Sequence, residues 1–210
     1  MTKILDIHSH FKGGDCDAET IYSFTASNIP QHFMGYKSVG IHPWYIENTE
    51  ISWDSLEKSI REEKTLAIGE TGLDKNINTP LSIQEELFVK HVQLSETHQK
   101  PLIIHNVKST PEIIRLHKEY SPKQTWIIHG FRGKPELYQE YQRVGILVSI
   151  GSKFNPKTVE NIPLNELLLE TDDSLDSIQT TIETISSIKK ITPQQLIDQI
   201  YKNTSRIFFH

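Results

Sequence analysis

The chain has one cysteine, Cys16, in 210 residues, and two methionines. A single thiol can form neither an intramolecular disulfide nor a thiolate zinc site, so any bound metal must be held by His and carboxylates. A reducing compartment suits such a chain, and the expected location is cytoplasmic. No apolar run approaches the roughly 20 residues of a membrane span, and the apolar stretch within Met1-Thr2-Lys3-Ile4-Leu5-Asp6-Ile7-His8 is shorter than the core of a secretion signal. An excess of cations is also missing. Against 27 Asp and Glu stand 22 Lys and Arg, a formal net charge of −5, which argues against non-specific coating of nucleic acid but leaves room for a local basic patch. Internal repeats, low-complexity segments and linkers are absent, and the ten glycines and ten prolines fall at element ends. One domain over 1–210, a monomer with a single sizeable core, is expected.

What is present is a recurrence of short apolar runs. Each closes on Gly, Pro, Asp or His, and most are followed by an amphipathic stretch of helical period, the pattern of repeated βα units. Eight strands are expected, at Ile4–His8, Ile21–Ala26, Tyr36–His42, Thr65–Glu70, Leu102–His105, Thr125–His129, Ile146–Ile150 and Glu166–Thr171. Helices are expected at Trp53–Lys64, started by Thr49 or Ser52, at Phe88–Gln99, started by Ser82 with Glu85 three residues on, and at Ile113–Tyr120 after Thr110-Pro111-Glu112. Three more fit Lys134–Arg143, Ser177–Lys190 and Thr192–Ile207. The connection Phe11–Thr20 is too short for a full helix. The fold class is therefore α/β, a compact TIM-like (β/α)8 barrel with a shortened first βα connection, near the ~200-residue lower limit of that fold.

Such barrels build their sites from strand C-termini, and six strand ends here carry metal-ligand residue types. The first reads Asp6-Ile7-His8-Ser9-His10, whose period of two puts Asp6, His8 and His10 on one face. The others end on His42, on Glu70 with Asp74 beyond it, on His105, on His129, and on Glu170-Thr171-Asp172, where Glu170 and Asp172 share a face. Burying His8, His10, Glu70, His105, His129 and Asp172 together without a cation would leave costly unpaired charge. Six ligands exceed the need of one tetrahedral ion, so two divalent ions roughly 3.5–4 Å apart, bridged by a carboxylate and a hydroxide, are expected. Mixed N and O ligands suit Zn, Mn, Co or Fe and leave Mg open. His91, His98 and His117 fall on helices and are expected to be structural or solvated, with His32 and His210 in a loop and at the terminus. Lys12, Lys75, Lys108, Arg132, Lys134, Lys153 and Lys157 all follow strand ends. That placement predicts a basic mouth and an anionic substrate, most simply a phosphate ester.

Eight segments in order, Asp6-Ile7-His8-Ser9-His10, Gly40-Ile41-His42-Pro43, Ile68-Gly69-Glu70-Thr71-Gly72-Leu73-Asp74, Ile103-Ile104-His105, Ile128-His129-Gly130-Phe131-Arg132-Gly133, Ser149-Ile150-Gly151, Leu168-Leu169-Glu170-Thr171-Asp172 and Asn203-Thr204-Ser205-Arg206-Ile207-Phe208, resemble the TatD family of metal-dependent deoxyribonucleases. The resemblance implies that His8, His10, Glu70, His105, His129 and Asp172 bind the metals, with Glu70 bridging, and that DNA or another phosphodiester is the substrate. Catalysis would then rest on Glu70 and on Asp172 as ligand and proton acceptor, while His42, Lys108 and Arg132 are candidates for holding phosphate oxygens.

The chain departs from the family in places. Where the family has His-x-Arg, His105-Asn106-Val107-Lys108 puts a lysine one position late, and Asp173-Ser174 and Lys75-Asn76 replace a small residue with proline and an aromatic pair. An amidohydrolase-like ester or amide hydrolase, such as an aminoacyl-tRNA deacylase, and an inactive metal-binding barrel are the competing readings.

Overall fold

A strand that is apolar on both faces must be covered on both. The computed structural model describes residues 3–46 and 52–209, and in it the eight apolar runs form eight parallel strands in sequential order. They are β1 (Asp6–His10), β2 (Thr20–Phe24), β3 (Tyr36–Val39), β4 (Thr65–Asp74), β5 (Leu102–Val107), β6 (Trp126–Ile128), β7 (Leu147–Ile150) and β8 (Leu168–Leu169). Ser9 of β1 makes a parallel bridge with Asp172, just beyond β8, so the curled sheet meets itself as a barrel. Ile7, Ile21, Ala67, Ile103, Ile127 and Leu168, from six different strands, form one buried cluster with Ile207 and Phe208 against it. A larger cluster joins the outward faces of the strands to the helices through residues such as Phe88, Trp126 and Ile182.

The helices are α1 (Trp53–Ile60), α2 (Leu81–His98), α3 (Thr110–Tyr120), α4 (Pro135–Gln142), α5 (Pro156–Asn161), α6 (Ile178–Lys189) and α7 (Pro193–Phe208). Ser52 caps α1 by accepting the Ser55 N–H, while Thr49, the other candidate, lies outside the described residues. The start of α2 differs from expectation. Pro80 is its N-cap, no side-chain cap forms, and Ser82 and Glu85 sit inside the first turns. Buried Gln84 explains the early start: its Oε1 accepts the Asp74 N–H at 2.7 Å and its Nε2 donates to the carbonyls of Thr79 and Asp74, fastening the first turn to the end of β4. Helix α5, which the sequence reading lacked, is six residues long with Asn155 as its cap, too short to show a period.

The connection 11–19 carries no helix, as expected, and neither does 25–35. Phe11, Tyr22, Phe24 and Phe33 cover the strands there instead, with Phe33 edge-on to the other three at centroid distances of 5.2, 5.6 and 4.7 Å. Such rings pack favourably beyond the area they bury.

His91 of α2 is fully buried and links that helix to the chain after β3. Its Nε2 accepts the Ile41 N–H at 3.1 Å and its Nδ1 faces the Leu87 carbonyl at 2.8 Å, which requires the neutral ring with the proton on Nδ1. Burial, against the pull of the Leu87 hydrogen bond, pushes its pKa down from 6.5 to about 4. An unfolded chain protonates near pH 6.5 while the folded one resists until about pH 4, so His91 leaves stability intact above that window and removes it as pH falls through it, by about 3 kcal/mol at most. Denaturant midpoints followed from neutral pH down to pH ~4.5 should therefore fall less steeply in His91→Gln than in the wild type, by about one proton in the slope. Equal slopes would contradict the neutral, clamped ring.

Candidate metal centre

Six side chains that follow or end strands gather around one carboxylate. Glu70, on β4 and 6% exposed, has its Oε1 2.7 Å from His129 Nε2 and 3.0 Å from both His42 Nε2 and His105 Nδ1. Its Oε2 lies 3.3 Å from His8 Nε2 and 3.9 Å from His10 Nε2. Asp172 closes the cluster with its Oδ1 3.4 Å from His10 Nε2 and 3.6 Å from His8 Nε2. Two glycines permit this density. A Cβ on Gly72, where φ is +148°, would sit 1.9 Å from the His105 carbonyl oxygen, and one on Gly40 would sit 2.8 Å from that of Glu70.

Charge inside the cluster is balanced by mutual pairing. Burial would raise the Glu70 carboxyl, but the charge on His129 and hydrogen bonds from His105, His129 and His42 outweigh it and hold the group well below the usual carboxylate range. Burial likewise would lower His129, yet Glu70 and Glu170 hold it well above its ordinary value. Asp172 stays low although burial opposes this, because His10 bonds to it and His129 and His8 lie near. His42 moves down because its burial exceeds the attraction of Glu70.

One expectation about facing is corrected, and a second holds by another route. Asp6 does not join His8 and His10. It turns to the chain after β8, accepting the Thr171 N–H at 3.1 Å and the Thr171 hydroxyl at 2.6 Å, and burial, only partly offset by these bonds, raises its pKa to about 7. Asp172 reaches the cluster by a route other than strand alternation, since β8 ends at Leu169 and Asp172 has φ +55°. Its N–H donates to the His8 carbonyl at 2.8 Å and its carbonyl accepts the His10 N–H at 3.1 Å, so barrel closure itself delivers the carboxylate.

The basic mouth is also only partly realised. Lys12 donates to the Asp173 and Ser174 carbonyls, and Lys75 pairs with Glu112 at 2.7 Å. Lys108 is exposed at a left-handed turn, φ +56°, that sends the chain into α3, and it does not line the cleft above Glu70. That cleft, about 470 Å³, is lined by Glu70 with His10, His42, His105 and His129, by Phe11, Phe24, Trp44 and Tyr45, and by no lysine or arginine among the described residues. Arg132 lines a small adjoining cavity with Glu170 and Asp172.

Supporting residues were missed at the level of single positions. Asp74 Oδ2 lies 3.1 Å from His105 Nε2 and accepts the Trp44 indole N–H at 2.7 Å. His105 thus presents Nδ1 to the cluster in the carboxylate–histidine arrangement typical of metal ligands. Glu170 lies 3.7 Å from His129 Nδ1 and accepts the Ser149 hydroxyl. Both acids stood inside recognisable motifs, but only contact assigns them a partner. His42 differs from the other histidines, because its Nδ1 accepts the Trp44 N–H and the neutral ring then carries its proton on the Nε2 that faces Glu70.

The donor set fits divalent cations. His8 is completely buried with neither ring nitrogen hydrogen-bonded, and His129 Nδ1 and Glu170 Oε1 are also buried without hydrogen-bond partners. Four overlapping trios, His8/His10/Asp172, His8/Glu70/His129, His42/Glu70/His105 and His129/Glu170/Asp172, each bring three donor atoms within 4.8 Å of one another. Nitrogen and carboxylate donors of this kind hold Zn, Mn and similar ions.

Residues 17–209 match the sequence pattern of the TatD related DNase family. The chain belongs to that family. It is 31% identical over 202 residues to an uncharacterized metal-dependent hydrolase of Methanocaldococcus jannaschii, covering 87% of this chain and 79% of that one. A second such hydrolase, from Buchnera aphidicola, is 30% identical over 193 residues, with 81% and 73% covered. Among solved structures, the TatD homologue YjjV of Escherichia coli superposes with a TM-score of 0.82 over 99% of this chain and 98% of its own, at 20% identity, so the barrel is shared. The chain is thus a TatD-family metal-dependent hydrolase, and no helix among its described residues is long and apolar enough to cross a membrane.

In this TatD-family site Asp74 orients His105, and replacing it should weaken metal binding without unfolding the barrel. Calorimetric titration of Asp74→Asn with Mn or Zn should show affinity reduced about 10–100-fold. Unchanged affinity would mean that His105 needs no such partner.

Proposed function

We propose that this TatD-family hydrolase cleaves phosphodiesters in nucleic acid, with two divalent ions held by His8, His10, Glu70, His105, His129 and Asp172. What carries the reading is the single carboxylate of Glu70 within 3.9 Å of five imidazoles at the floor of an open cleft, beside a buried His8 with no hydrogen-bond partner. Glu70, with each oxygen facing different histidines, is the natural bridge between two sites. Divalent ions bound there would act as Lewis acids, acidifying a water and drawing charge from phosphoryl oxygens.

The chain's own groups do the rest. Asp172, kept ionised by His10 and its neighbours and 22% exposed towards the cleft, accepts the proton of the attacking water. His42 turns its Nε2–H to Glu70 and so holds that carboxylate in place instead of gripping phosphate as the sequence suggested, while Arg132 contributes charge from the adjoining cavity. Lys108 is left out of this set because it stands away from the cleft. Trp44 and Tyr45, about half exposed in the wall of the cleft, offer ring faces against which a base can stack.

The deciding assay incubates purified protein with Mg, Mn, Co or Zn against single-stranded DNA, RNA, a chromogenic phosphodiester and a carboxylic ester. Hydrolysis of the phosphodiesters and not the ester is expected. Asp172→Asn should lower kcat at least about a hundredfold at saturating metal, whereas Asp173→Asn, whose exposed side chain makes no hydrogen bond to the cluster, should cost little. Near-normal turnover by Asp172→Asn, or ester cleavage alone, would overturn the reading.

A further inference from the structure

Of the seven cations that follow strand ends, four gather beside the metal centre. Arg132, Lys134, Lys153 and Lys157 line one open cleft of about 890 Å³ between the loops that lead into α4 and α5, with Glu136 the single carboxylate among the described residues on its walls. Arg132 and Lys153 also line the small cavity that reaches Glu170 and Asp172, so the cationic cleft continues to the edge of the catalytic cluster.

None of the four side chains has a salt bridge or hydrogen bond among the described residues, whereas Lys12, Lys37, Lys75, Arg61 and Arg115 all do. Four unpaired like charges crowded together in a chain of net charge −5 repel one another and attract anions. The cleft is open, not enclosed, which does not suit a single small anion. The wall of the site that holds Trp44 and Tyr45, by contrast, is aromatic and has no lysine or arginine among its described residues.

We infer that the Arg132–Lys157 cleft is a track for the phosphodiester backbone of a nucleic-acid strand that extends beyond the scissile bond. The preferred substrate is then a strand several nucleotides long, gripped asymmetrically: phosphates on the α4–α5 side of the metal centre, and base and sugar on the Trp44 side. The inference rests on the phosphodiesterase reading for the identity of the strand. Its own observation, the unpaired cations, stands apart from the metal cluster.

The test is fluorescence anisotropy of the metal-loaded protein with cleavage-resistant phosphorothioate oligothymidylates of about two and about eight nucleotides. The wild type should bind the longer strand about tenfold or more tightly than the shorter, with affinity falling steeply as salt rises. In Lys134→Gln/Lys153→Gln/Lys157→Gln the length preference should vanish, and the slope of log affinity against log salt should shrink by about two, the share of three phosphate contacts on a single strand. Unchanged thermal melting of the variant excludes misfolding as the cause. Equal affinity of the wild type for both lengths, or a variant that keeps the preference and the slope, overturns the track, and equally tight binding of an acidic peptide of similar charge would reassign the cleft to a protein partner. Cleavage of the small chromogenic diester reads the reaction separately. Cleavage without length preference would remove the track alone, and length-dependent binding without cleavage would remove the reaction alone.

Discussion

A carboxylate surrounded by five imidazoles is the constraint on which the rest of this molecule depends. Glu70 is almost completely buried, and an ionised carboxyl in that position is tolerated only because His8, His10, His42, His105 and His129 are held within reach of it. Those five come from four different strand ends, and none is a sequence neighbour of Glu70. Only a closed barrel brings them together. Closure in turn passes through the site, because the backbone of Asp172 pairs with His8 and His10 while its carboxylate faces the same two rings. Fold and site are therefore one structure.

Around that centre lies a ring of acids whose work is positional. Asp74 holds His105 and Trp44, Glu170 stands behind His129 and takes the Ser149 hydroxyl, and Asp6 ties β1 to Thr171. His105, whose far nitrogen is already bonded to Asp74, cannot rotate away, which preserves the donor geometry a cation needs. The arrangement also explains the glycines at 40 and 72, where any side chain would strike the backbone that carries Glu70 or His105.

Much of this was legible from the sequence, for a physical reason. A strand buried on both faces is a run of apolar residues, so a polar residue closing such a run stands out, and His8, Glu70, His105 and His129 were identifiable on that ground alone. The helix expected at Thr192–Ile207 was equally plain from its period, and α7 runs there with a Thr192 and Gln195 capping box at its start. What failed were inferences that needed the third dimension. Alternation predicted that Asp6 would face the histidines, but two donors from Thr171 draw it the other way. Asp172 does stand beside Glu170 as expected, but it owes its place to barrel closure and a left-handed backbone, not to a period of two. The start of α2 depended on Gln84 reaching back to β4, and the usefulness of each mouth lysine depended on whether a carbonyl or carboxylate stood near it.

The account stands or falls on Glu70 as the bridge of a two-ion site. Metal content should be measured on protein reconstituted with Mn or Zn and freed of loosely held ions. The wild type is predicted to approach two ions per chain. Glu70→Gln, which keeps the shape of the side chain but removes its charge, is predicted to hold no more than one while remaining folded. A wild-type protein that binds no ion tightly, or a Glu70→Gln variant that still holds two, would contradict the assignment.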